Sequence, residues 1–188
     1  MSTLKVDTIL KRTGTGTITV GQSGDTISVP TGATLSVSGS ASGLPDNTPS
    51  FLVTISGTQS ISTSTHTKVQ FNSEIYDTDN TFDSSTNYRF TPAVAGKYQL
   101  SFGTLLTSLE NDEKLQLQIR KNGSALDYDP SQRFYSTNSG GETVTGQTNL
   151  VVESDADDYF EAWIFHTEGG SRDIGQYSYF SGYKLIGA

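Results

Sequence analysis

Few residues in this chain have the chemistry for a reaction. The two histidines, His66 and His166, are not at metal-ligand spacing from each other, and each reads as a plain strand-edge residue. Cysteine is absent, so disulfides, a thiolate nucleophile and thiolate metal sites are excluded, and redox chemistry gives no reading of compartment. No Gly-x-Ser-x-Gly elbow, phosphate loop or dinucleotide fingerprint occurs. Two acidic clusters come nearer to a site. Asp77, Asp79 and Asp83 alternate in one segment, and Asp155, Asp157 and Asp158 crowd one turn. Hard oxygen ligands at i and i+2 suit calcium, but a calcium loop also needs a bidentate Glu and a turn glycine, and neither is in position. Both clusters therefore read as solvated turns, and no metal or cofactor is expected. The segment Asp127-Tyr128-Asp-Pro-Ser-Gln-Arg133-Phe134-Tyr135 differs in kind. It mixes aromatics with charge, and aromatics and Arg carry most contact energy at interfaces. Tyr128, Arg133, Phe134 and Tyr135 are the receptor-contact candidates. The competing reading tucks these aromatics back onto the body of the domain.

Composition narrows the partners. A net charge of −8 opposes binding to nucleic acid, whose phosphates need Lys and Arg, and to an anionic membrane surface. No apolar run has the length of a membrane span or of a signal peptide. The expectation is synthesis in a cytoplasm without a secretion signal of its own. Low charge (17%) with 19 glycines and abundant Ser and Thr favours strands and turns over helix.

The elements that must position these residues are all strands. Residues 1–12 hold four aliphatics among polar residues and read as an attachment segment. Residues 13–40 repeat one pattern: Thr17-Ile-Thr-Val20, Thr26-Ile-Ser-Val29 and Thr34-Leu-Ser-Val37. Short apolar alternations at regular spacing, separated by Gly, Pro and Asp turns, predict stacked β rungs. One chain would leave both faces and both edges of such rungs in water. Three chains around an axis would bury Ile18, Val20, Ile27, Val29, Leu35 and Val37. A Ser/Thr/Gly linker is the alternative. Residues 41–50 form a hinge by composition, and the head covers 51–188. There, alternations such as Tyr98, Leu100 and Phe102, or Leu115, Leu117 and Ile119, predict about ten short strands and no helix. Asn122-Gly123 supplies a primed hairpin turn. The fold class is all-β, an antiparallel jelly-roll sandwich preceded by a short repetitive β stalk, intertwined as a trimer.

The head resembles a known family. Val69-Gln-Phe71, Tyr76-Asp77, Phe82-Asp83, Phe90-Thr-Pro92, Gly96-Lys-Tyr98, Ile119-Arg-Lys-Asn-Gly123 and Phe180-Ser-Gly-Tyr-Lys-Leu185 are similar in type and order to the globular head of complement component one, subcomponent q, and its tumour-necrosis-factor-like relatives. The segment Ser154-Asp-Ala-Asp-Asp158 departs from that family's Gly-Asp-x-Val turn, so family ligand residues do not transfer there. The opening, Met1-Ser-Thr-Leu-Lys-Val-Asp-Thr-Ile9 with Gly24 to Leu35, is similar to the openings of bacteriophage tail-fibre and virion fibre proteins. No collagen-like Gly-x-y run precedes the head, unlike the secreted animal proteins.

The resemblance implies a three-fold assembly with aromatics on the axis. Tyr98, Trp163, Phe165, Tyr177, Tyr179 and Tyr183 are the head-interface candidates, since they exceed what one small core should absorb. The expected function is structural: a homotrimeric phage fibre or spike in the virion, not an enzyme, whose head projects for adhesion or host recognition. The expected partners are two further copies of the chain, other virion proteins through residues 1–12, and a host-surface receptor or glycan. Nucleic acid and membrane insertion are not expected. The alternative is a capsid-surface decoration protein of the same fold. A glycan-active enzyme would need paired carboxylates facing one groove.

Overall fold

The computed structural model describes residues 9, 17–38, 46–126, 133–137 and 141–186. The chain divides into two compact units, Met1–Leu44 and Pro45–Ala188.

In the first unit the two predicted turns form. Asp25 N–H donates to the Gln22 carbonyl and Ala33 N–H to the Pro30 carbonyl, each at 3.0 Å. Gly21 and Gly24 take φ of 81° and 93°, a region other residues rarely adopt. Between the turns, residues 17–38 form no strand in the single chain. The six repeat aliphatics lie 45–71% exposed. A rung needs a neighbour for its backbone groups and its apolar face, and among the described residues neither is supplied.

The second unit is a two-layer sandwich with fourteen strands among the described residues and no helix. The front sheet contains β11 (Glu142–Ser154), β7 (Gly96–Leu109), β14 (Tyr179–Lys184), β1 (Ser50–Thr54) and β4 (Ser73–Asp77), in that order. The rear sheet runs β10 (Arg133–Tyr135), β8 (Lys114–Lys121), β12 (Phe160–His166), β6 (Arg89–Phe90) and β5 (Phe82–Asp83). Two short strands extend it: β3 (Thr67–Lys68) pairs with β12 and β9 (Ser124–Ala125) with β8. A separate ribbon joins β2 (Gln59–Ile61) to β13 (Arg172–Ile174). Every pairing is antiparallel.

Strand alternation builds the core between the sheets. Phe51 and Val53 of β1, Tyr98, Leu100 and Phe102 of β7, and Phe180 of β14 point inward and are fully buried. Leu115, Leu117 and Ile119 of β8 and Phe160 and Ile164 of β12 meet them from the rear. Phe51 ties the layers, with ring centroids 4.4 Å from Phe90 and 5.0 Å from Phe180. The β8–β9 hairpin turns on Asn122 and Gly123, both at positive φ, as the sequence predicts.

His166 corrects the strand-edge expectation. It is the last inward position of β12 and is fully buried, with its Nε2 3.0 Å from the Ile61 carbonyl. It links the rear sheet to the β2–β13 ribbon.

Candidate interaction surfaces

The acidic clusters come first, because Asp77, Asp83 and Asp158 already have partners. Asp83 accepts from the N–H groups of Ser85, Thr86 and Asn87 at 2.9–3.1 Å, and from Asn87 Nδ2 at 2.7 Å. Asp77 accepts from the N–H of Phe82 at 2.7 Å and the Thr81 hydroxyl at 3.1 Å. Asp158 accepts from Asp155 N–H and Asn122 Nδ2, and pairs with Lys121 at 2.6 Å. The Asp83 bond to Ser85 N–H is of the Asx-turn type, and the others tie their loops together. Among the described residues no group of three His, Cys, Asp or Glu side chains is placed to hold a metal.

The outward faces of the two sheets differ in chemistry. On the front sheet, alternation and register put Val151, Gln99, Tyr183 and Ser50 in one row, and Asn149, Ser101, Ser181, Leu52 and Tyr76 in the next. Gln147, Gly103, Tyr179 and Thr54 follow. Glu153 opposite Lys97 bounds this face; between that row and the Thr145–Leu105 row, no described outward side chain is charged. Tyr179 lies flat over Gly103: a Cβ there would stand 2.5 Å from its Cε1. The glycine is what lets the ring cover the strand. Tyr183 is 40% exposed and Tyr177 68% exposed. Tyr177 borders a cleft of about 390 Å3 shared with Leu105, Thr107 and Asp173. Large uncharged aromatic surface of this kind is what subunit interfaces use.

On the rear sheet the outward positions are Gln116, Gln118 and Arg120 of β8 and Glu161, Trp163 and Phe165 of β12. Here the rings are roofed by cations of the same chain. Arg120 sits 4.0 Å over Trp163 and Lys114 4.5 Å over Phe165, with the His66 ring tilted against Phe165 at 4.8 Å between centroids. Glu161, nearly buried, accepts from Trp163 Nε1 at 3.0 Å and from Lys68 at 3.1 Å.

The six predicted head-interface residues therefore separate. Tyr177, Tyr179 and Tyr183 share the front face. Trp163 and Phe165 belong to the rear face, where their own chain covers them. Tyr98 is corrected: it lies wholly inside the protomer. Its hydroxyl donates to the Val94 carbonyl at 2.6 Å, and burial, with Asp79 nearby, pushes its phenol up to about 12. Its parity with Leu100 and Phe102 already pointed there. Of the receptor-contact candidates, Tyr128 is outside the described residues. Arg133 and Tyr135 are exposed on β10. Phe134 is corrected, because it packs against the core, with its ring over Gly146, where a Cβ would meet it at 2.8 Å. The sequence reading missed Leu52, Tyr76, Gly103 and the cations over Trp163 and Phe165. The Gln116, Gln118 and Arg120 alternation was the available signal for those cations.

Residues 50–185 match the C1q domain family. The chain belongs to this family. Solved structures agree on the fold of its C1q domain. The globular domain of zebrafish complement 1qA protein is 20% identical, with a TM-score of 0.55 over 74% of this chain and 98% of that one. Murine APRIL is 12% identical, with a TM-score of 0.51 over 72% of this chain and 98% of that one. No curated protein sequence matches the chain. C1q and tumour-necrosis-factor-like domains are generally trimeric. Among the described residues of this C1q domain protein, no helix is long and apolar enough to cross a membrane.

Proposed function

We propose that the chain is the subunit of a homotrimeric, non-catalytic adhesion head, joined through the front face of its C1q domain. The observation that carries this reading is that face: uncharged, bearing Tyr179 and Tyr183, and flanked by the Tyr177 cleft. Burying it desolvates no ion, so association avoids the cost that charged surface imposes. The exposed repeat aliphatics support the same stoichiometry, since three chains give each rung the neighbours that one chain lacks. The finer reading is a bacteriophage fibre or spike in a virion. Residues 1–12 attach it to other virion proteins, the repeat forms the stalk, and trimer avidity multiplies weak contacts of the head with a host-surface receptor or glycan. Its support is the fibre-like opening and the repeat. A capsid decoration protein of the same fold is distinguished by position alone. Antibody against the head, applied to purified particles, tests it: labelling at a tail or fibre tip is expected, labelling over the shell selects the decoration reading, and unlabelled particles contradict both.

A further inference from the structure

The rear face is the other outward surface of the sandwich, and its chemistry is the reverse of the front. The chain carries −8 overall with only 12 Lys and Arg, yet Lys68, Lys114, Arg120 and Arg133 gather on this one sheet. Lys68 forms an ion pair with Glu161, and the same carboxylate stands across from Arg120 and acts on its charge; Lys114 and Arg133 form no ion pair with a described carboxylate. Lys114 and Arg120 are both outward on β8, six residues apart, about 20 Å along a strand. Arg133 stands on β10 opposite Gln116, which pairs in turn with Phe165. Stacking on Trp163 and Phe165 fixes where the Arg120 and Lys114 charges are presented, which lowers the ordering cost of a contact. His66, packed on Phe165, senses this: burial first, then the Arg120 and Lys114 charges, lowers its pKa from the ordinary 6.5.

We propose that this face docks an extended anionic polysaccharide, a carboxylated glycan whose charges meet Lys114, Arg120 and Arg133 in turn. The match is one of charge and layout. The cations are spread along a strip rather than gathered into a pocket, so a linear polymer meets them better than a compact ion does. Nucleic acid fits less well. Its bases need open aromatic rings to stack on, and here the rings lie under the cations. The inference deepens the adhesion reading and rests on it.

The test uses the whole chain and polygalacturonate as the probe, with neutral dextran and a thymidine oligonucleotide as comparisons, in titration calorimetry. Polygalacturonate is expected to bind and to weaken with added salt, and dextran not to bind. R120Q and K114Q should each weaken binding on the order of tenfold, and R120K should retain most of it. Circular dichroism shows whether R120Q folds; if it does not, K114Q carries the comparison. Absent polygalacturonate binding, undiminished binding by the folded neutral variants, equal binding of dextran, or preference for the oligonucleotide overturns the proposal. Light scattering on the same samples reports the trimer separately, so loss of one reading is distinguished from loss of the other.

Discussion

Asp83 shows how much of this domain's order is carried by single polar side chains. The backbone N–H of Thr86, then that of Ser85, and the Asn87 amide hold its carboxyl well below the ordinary 3.8. A depressed folded pKa means the stabilisation is present above the unfolded value and is lost as pH falls through the folded one. D83N should therefore be less stable than the parent at pH 7, and the gap should narrow as the pH drops below 3.8. Urea titrations at both pH values check this; a gap that widens in acid contradicts it. Tyr98 gives a second prediction at this scale. Y98F loses the 2.6 Å bond to Val94 and should cost about 1 kcal/mol while leaving assembly untouched, because the ring is inside the protomer. A change in subunit stoichiometry would return Tyr98 to the interface.

At the scale of elements, Gly103 and Tyr179 join β7 to β14 and shape the front face. In G103A the new methyl displaces the Tyr179 ring, the flexible end of its side chain, so the head should still fold. Subunit dissociation should rise about tenfold or more, as for a perturbed interface anchor, read by dilution in analytical ultracentrifugation. Unaltered dissociation would remove Tyr179 from the interface. For the repeat, I27D would place three like charges around one axis, where poor hydration makes repulsion strong. Protease should then trim the chain near residues 41–50 and leave an intact head; an uncut repeat shows that Ile27 is not axial. The sequence reveals these elements unevenly. Runs such as Leu115 to Ile119 and the Asn122-Gly123 turn are plain because period-2 burial and positive φ leave local marks. The length of β11 is not: Thr-rich stretches around Gly146 carry no apolar alternation, and only pairing with β7 extends the strand from Glu142 to Ser154. The β2–β13 ribbon is equally hidden, because three-residue strands far apart in sequence leave no periodic signal. The front face was half legible. Its tyrosines stood out as surplus, but which sheet each belonged to depended on register, and register is tertiary information.

At the scale of the whole molecule, the two outward faces assign two tasks. The front face lacks charge and suits a copy of itself or of a neighbouring chain's edge. The rear face concentrates cations that an acidic protein would otherwise scatter. Y183D tests that division, since a carboxylate buried between subunits is costly. It should yield folded monomeric heads whose rear face still binds polygalacturonate, though without avidity. The central claim is the trimer itself, and multi-angle light scattering of the intact chain at micromolar concentration tests it most directly. The account predicts a mass about three times the 20.2 kDa of one chain. A stable species at the mass of a single chain would contradict it.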